Sequence, residues 1–120
     1  MNSPISVSDF LEKLQNNQVV DFKETMAVIA GHYEYRPTRF SNGLDPCLVN
    51  EAGQNEGSCR IFAFAKIHKL SAEQTLALFG DYYRSDVLGN PDGNDHQNIR
   101  NFMRDGWAGI NFDGEALQAK

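Results

Sequence analysis

Residues 50–68 read NEAGQNEGSCRIFAFAKIH. A polar, glycine-bearing loop delivers Ser58 and Cys59 into an apolar run. Ile61, Phe62, Phe64, Ala65 and Ile67 are apolar almost all round, and a helix with that much apolar surface belongs at the centre of a fold. The spacing predicts a central helix over residues 58–69, with Cys59 in its first turn. The rest of the chain must then supply elements that cover it on several sides.

Helix-start signals provide those elements. Ser6 stands three residues before Asp9, with Ile5 and Phe10 at the spacing of a hydrophobic staple. Val7, Phe10, Leu11 and Leu14 form one face. Asp21 and Glu24 repeat the capping spacing, and Phe22, Met26, Ile29 and Tyr33 follow as a core-facing stripe. Ser71 and Gln74 open a fourth helix whose inner face is Leu76, Phe79, Tyr83 and Val87. Gly80 inside that run costs about 1 kcal/mol in a helix, which suits a kink or a close packing contact. A fifth helix, capped by Asn94 or Asp95, turns Ile99, Phe102 and Met103 inward and ends at Gly106.

Between these lie extended pieces. Residues 35–41 alternate aromatic and charged side chains, and Pro37 excludes a helix interior. Asn42-Gly43 is a turn pair, and Pro46 makes the next few residues irregular or briefly extended. Residues 108–112 read as a short strand able to pair with 35–41, and the final EALQAK is expected to fray. The fold class is α+β: a mostly helical single domain of about five helices with a small two- or three-stranded antiparallel sheet.

The chain has 120 residues, 41% of them hydrophobic, and a net charge of -5 from 16 acidic and 11 basic side chains. No stretch clusters Lys and Arg, which argues against nucleic acid and against anionic membrane surfaces as partners. No apolar run approaches the ~20 residues of a membrane span, and the N-terminus MNSPISVSDF lacks the charged and apolar regions of a Sec signal. Two cysteines, Cys47 and Cys59, do not make a disulfide framework. A cytoplasmic protein with reduced thiols is the default.

Three chemistries deserve weighing. A thiol at a helix start can be a nucleophile, because free N–H groups and the helix dipole lower its pKa. Such a thiol wants a base. His68 lies nine residues along the same helix, about 13 Å away at 1.5 Å per residue, so His96 is the candidate, oriented by Asp81 or Asp95. The competing reading of Cys59 is a small buried core residue.

The second chemistry is hydrogen bonding to a small ligand of unknown identity by Asn50, Gln54, Asn55, Ser58 and Arg60. Gly53 and Gly57 are too close for a phosphate loop, and no Lys follows. The competing reading is that Asn and Gly build the turn. The third is metal. Asp92, Asp95 and His96 lack the closing acidic ligand of a calcium loop and the partners of a zinc site, so no metal and no cofactor is expected. Tyr82, Tyr83, Arg84, Arg100 and Trp107 are residue types that anchor protein interfaces or seal cores, and Asp81 is placed to pair with Arg84.

Four long blocks carry a family resemblance: TMAVIAGHYEYRPTRFSNG (25–43), residues 50–68 quoted above, TLALFGDYYRSDVLGNP (75–91) and DHQNIRNFMRDGWAGINF (95–112). The chain resembles the HopJ type III effector family of small bacterial proteins. The resemblance implies one HopJ-like domain over residues 1–120 and export by type III secretion, and the small, Ser-containing MNSPISVS agrees with an export signal. It implies no reaction. Two functions remain open: an interaction module for a host or bacterial protein, and a small cysteine-dependent hydrolase or acyl transferase using Cys59 and His96.

Overall fold

A computed structural model describes residues 5–120. The first half of the MNSPISVS stretch, residues 1–4, lies outside the described residues. Five α-helices form: α1 (Val7–Gln15), α2 (Phe22–His32), α3 (Glu56–Ile67), α4 (Ala72–Ala77) and α5 (Gln97–Asp105). A π-helical segment, Tyr82–Val87, follows α4, and a 3-10 turn, Gly106–Gly109, follows α5. The strands are β1 (Tyr33–Tyr35), β2 (Phe40–Asn42), β3 (Leu48–Asn50), β4 (Asn111–Phe112) and β5 (Leu117–Ala119).

Local chemistry starts three of the helices. Ser6 Oγ accepts from Asp9 N at 3.0 Å, and Asp21 Oδ1 accepts from Glu24 N at 2.7 Å. Ser71 and Gln74 form a reciprocal capping box, which satisfies two otherwise orphaned donors. Ile5 is exposed, and its carbonyl accepts from His32 Nε2.

α3 is the central element, with Cys59, Ile61, Phe62, Ala63, Phe64 and Ala65 all buried. Phe62 and Phe64 divide the core between them. Phe62 meets Phe40, Phe79, Phe102 and Trp107 at ring-centroid distances of 5.9, 5.5, 5.0 and 6.5 Å. Phe64 meets Phe10 and Tyr33 at 6.0 and 5.8 Å. One helix thus joins the β2–α5 side of the molecule to the α1–α2–β1 side.

Two small antiparallel sheets flank this core, one ordered β1-β5 and one ordered β3-β2-β4. The expected pairing of residues 35–41 with 108–112 occurs where Phe40 opposes Phe112 and Ser41 opposes Asn111. The tail does not fray. Ala116 and Leu117 are buried, β5 pairs with β1 from Tyr33↔Ala119 to Tyr35↔Leu117, and Lys120 Nζ donates to Ala30 O at 2.9 Å. Two apolar residues in EALQAK find a seat that only the folded chain provides.

Other boundaries shift for identifiable reasons. α3 begins two residues early, at Glu56, because Asn55 takes a left-handed conformation at φ 49°. α5 is preceded by His96 at φ 49° and not by an Asn94 or Asp95 cap. Met103 is 45% exposed, so it lies outside the core face. At Gly80, φ is +63°, and a Cβ there would stand 2.6 Å from Phe22 N. The chain therefore breaks after α4, passes against the start of α2, and resumes as the π segment. Arg84 Nη2 secures that crossing by donating to Val20 O at 2.8 Å.

Candidate functional site

α3 and α5 start alike. Asn55 and His96 have φ/ψ of 49°/50° and 49°/49°, and neither side chain caps its helix. The first intrahelical bonds are Cys59 N to Asn55 O at 3.0 Å and Arg100 N to His96 O at 3.1 Å. The N–H groups ahead of them, on Glu56, Gly57 and Ser58 and on Gln97, Asn98 and Ile99, are the orphan donors of any helix start. No protein acceptor takes them among the described residues.

A buried amide cluster holds the two starts together. Asn50 Oδ1 accepts from Asn55 Nδ2 at 2.6 Å and from Asn98 Nδ2 at 2.9 Å, while Asn50 Nδ2 donates to Asn98 Oδ1 at 3.1 Å. Asn42 Nδ2 donates to Asn98 O and Oδ1 at 2.8 and 3.0 Å, and Asn101 Nδ2 donates to Asn42 O at 3.0 Å. Asn42 Oδ1 is buried without a partner among the described residues. Apart from that oxygen, the network links β2 and β3 to both helix starts through hydrogen bonds made within the protein, which favours a single arrangement.

A cleft of about 550 Å³ opens between these starts. Phe22, Phe79, Leu48 and Ile99 give it apolar walls, and Asn55, Gly57, Ser58, His96, Gln97 and Asn98 give it a polar side. His96 Nε2 lies 3.2 Å from Asp86 Oδ2 and 4.0 Å from Asp95 Oδ2. Its ring packs on Tyr82 at 5.5 Å, and Tyr82 meets Phe22 edge to face at 5.0 Å. Arg100 fixes the loop before His96 by donating to Asn90 O, Pro91 O and Asp95 O, and to Asp95 Oδ1 at 2.8 Å. That hydrogen bond holds the Asp95 carboxyl below the usual carboxylate range.

The residues singled out by sequence divide accordingly. Asn55, Ser58 and His96 line the cleft, and Asn50 supports it from behind. Gln54 Oε1 accepts from Glu51 N and closes the preceding turn. Arg60 lies over the Tyr35 ring at 4.0 Å, outside the cleft lining. Cys59 is buried, its Sγ 3.6 Å from Thr38 O, and it too is absent from that lining. Burial pushes the Cys59 thiol pKa up. Of the two readings the sequence offered, the small buried core residue suits this position, because desolvation outweighs the helix start. Both cysteines are free thiols.

Asn98 escaped the sequence reading. Its signal was the spacing of Asn98 and Asn101 beside Ile99 and Phe102, which places two amides on the buried face of one helix. Phe22 and Tyr82 read only as core or interface aromatics. Among the described residues, no three His, Cys, Asp or Glu side chains group as metal ligands, and no helix is long and apolar enough to cross a membrane.

The HopJ type III effector protein family model matches residues 7–117. The chain belongs to the HopJ family. Its fold is shared by the crystal structure of the unknown-function protein VPA0580, with a TM-score of 0.92 and 48% sequence identity. That similarity covers 97% of this HopJ chain and 95% of the other. No curated protein matches significantly. That neighbour is itself of unknown function, so the chemistry of the HopJ cleft rests on its own residues.

Proposed function

We propose that this HopJ family member is an interaction module that seats a segment of a host or bacterial polypeptide in the cleft between α3 and α5. Family membership supports delivery by type III secretion. The observation that carries the binding role is the convergence of two helix starts without side-chain caps on one aromatic-walled cleft. Orphan N–H groups take acceptor oxygens, and polypeptides supply acceptor carbonyls at every residue. Cysteine hydrolysis or acyl transfer finds no support, since Cys59 is buried away from the cleft lining and its thiol resists ionisation.

Site-directed photocrosslinking tests the role. A benzophenone side chain replaces Tyr82, at the cleft, or Ile67, at the far end of α3. Both positions are exposed, at 44% and 46%. Discrete polypeptide adducts at position 82 and none at 67 are expected in cells that express and export the protein. Equal yields at both positions contradict the proposal.

A further inference from the structure

The cleft shares its Phe22–Tyr82 wall with an adjoining depression of about 320 Å³. Asp21, Asp81 and Asp86 line that depression, against the single cation Lys23 among the described lining residues. The side chains of Asp81 and Asp86 are 83% and 50% exposed. Asp81 lies 3.7 Å from Arg84, which is already committed to Val20 O. The two hollows therefore present opposite demands on either side of one aromatic pair. One offers hydrogen-bond donors and the other offers carboxylates. Glu56, in the first turn of α3, and Asp86, beside His96, also disfavour an anionic ligand on the donor side.

We infer that the occupant is a polypeptide segment carrying arginine. The guanidinium lies against Phe22 and Tyr82 among Asp21, Asp81 and Asp86, and neighbouring backbone carbonyls accept from the starts of α3 and α5. This rests on the cleft being a polypeptide seat and adds the charge of what sits there. Charge complementarity selects the cation. The aromatic pair selects arginine over lysine, because a planar, weakly hydrated guanidinium stacks on ring faces while still donating to carboxylates. An acidic or purely apolar segment satisfies only one of the two hollows.

The test titrates the full ¹⁵N-labelled chain with three blocked pentapeptides, acetyl-Gly-Ala-Xaa-Ala-Gly-amide, where Xaa is arginine, leucine or glutamate. The arginine peptide is expected to shift the amides of Gly57, Ser58, Gln97 and Asn98, with affinity roughly fivefold or more above that of the leucine peptide. The glutamate peptide is expected to bind weakest, and added salt should weaken the arginine peptide most. Asp81→Asn with Asp86→Asn should remove most of the arginine preference, and Tyr82→Leu should reduce it with the carboxylates intact. Unchanged spectra elsewhere in each variant exclude misfolding. Equal binding of arginine and leucine peptides overturns the inference and leaves the polypeptide seat standing. Shifts scattered outside the cleft, or no shifts with any peptide, overturn both.

Discussion

One carboxamide oxygen, Asn50 Oδ1, accepts hydrogen bonds from both Asn55 Nδ2, at 2.6 Å, and Asn98 Nδ2, at 2.9 Å. Asn55 sets the left-handed start of α3, and Asn98 lies in the first turn of α5. A residue on β3 therefore fixes the spacing of two helices separated widely in sequence. The cleft depends on that spacing.

Removing the hub should be costly. Asn50→Leu leaves Asn55 Nδ2 and the Asn98 amide without their shared partner, and buried amides without partners cost about 1–3 kcal/mol each. A loss of ~3 kcal/mol in urea unfolding is expected, against ~1 kcal/mol for Asn55→Gly, which removes one part-buried bond and keeps the left-handed backbone unstrained. Equal losses from the two variants would show that Asn50 is not the hub.

Gly80 and Gly53 separate two consequences of positive φ. Both are left-handed, but a Cβ at Gly80 meets Phe22 N at 2.6 Å, whereas Gly53 has open space around it. Gly53→Ala should cost only conformational strain, about 1 kcal/mol, while Gly80→Ala adds a backbone clash and should lose roughly 2–4 kcal/mol. Thermal unfolding of the two variants checks the difference.

The two cysteines should react very differently. Cys47 is exposed and Cys59 is buried with a raised thiol pKa. Reaction with a disulfide reagent at neutral pH should label one thiol quickly and the other only after denaturant is added, since the thiolate is the reactive form. Rapid labelling of Cys59 in the folded protein would revive nucleophilic chemistry.

Acid should weaken the fold in two stages. Burial lowers the His68 pKa below its ordinary 6.5, and its Nε2 lies 2.5 Å from Tyr33 Oη. The unfolded chain then binds the proton first, so stability is fully present above pH ~6.5 and falls as pH drops from there through the folded pKa. Asp95 and Asp105, held low by Arg100 and Arg104, withdraw their contribution only at lower pH, beginning near the usual carboxylate range. His68→Gln should flatten the first stage and leave the second. Urea midpoints measured from about pH 2 to about pH 8 check both.

What the sequence made legible was local. Ser6, Asp21 and Ser71 cap helices through atoms three residues away, and such spacings are visible in any single chain. Phe62 and Phe64 announced a central helix by apolar content alone. The starts at Asn55 and His96 were not legible, since no side-chain cap marks them and one of them is held by Asn50 through tertiary contact. The tail was misread because β5 depends on β1, which lies far away in sequence after α2. For Cys59 the sequence left two readings open, a nucleophile and a small core residue, because a helix start lowers a thiol pKa only where solvent or charge remains and burial is set by tertiary packing; here burial prevails.

The central claim is that the orphan donors at the starts of α3 and α5 serve a ligand. Amide hydrogen exchange at Gly57, Ser58 and Gln97, measured with and without saturating arginine pentapeptide, addresses it most directly. The account predicts fast exchange in the free protein, where these groups have no acceptor among the described residues, and about tenfold slower exchange in the complex. Unchanged exchange at all three amides in a saturated complex would contradict it.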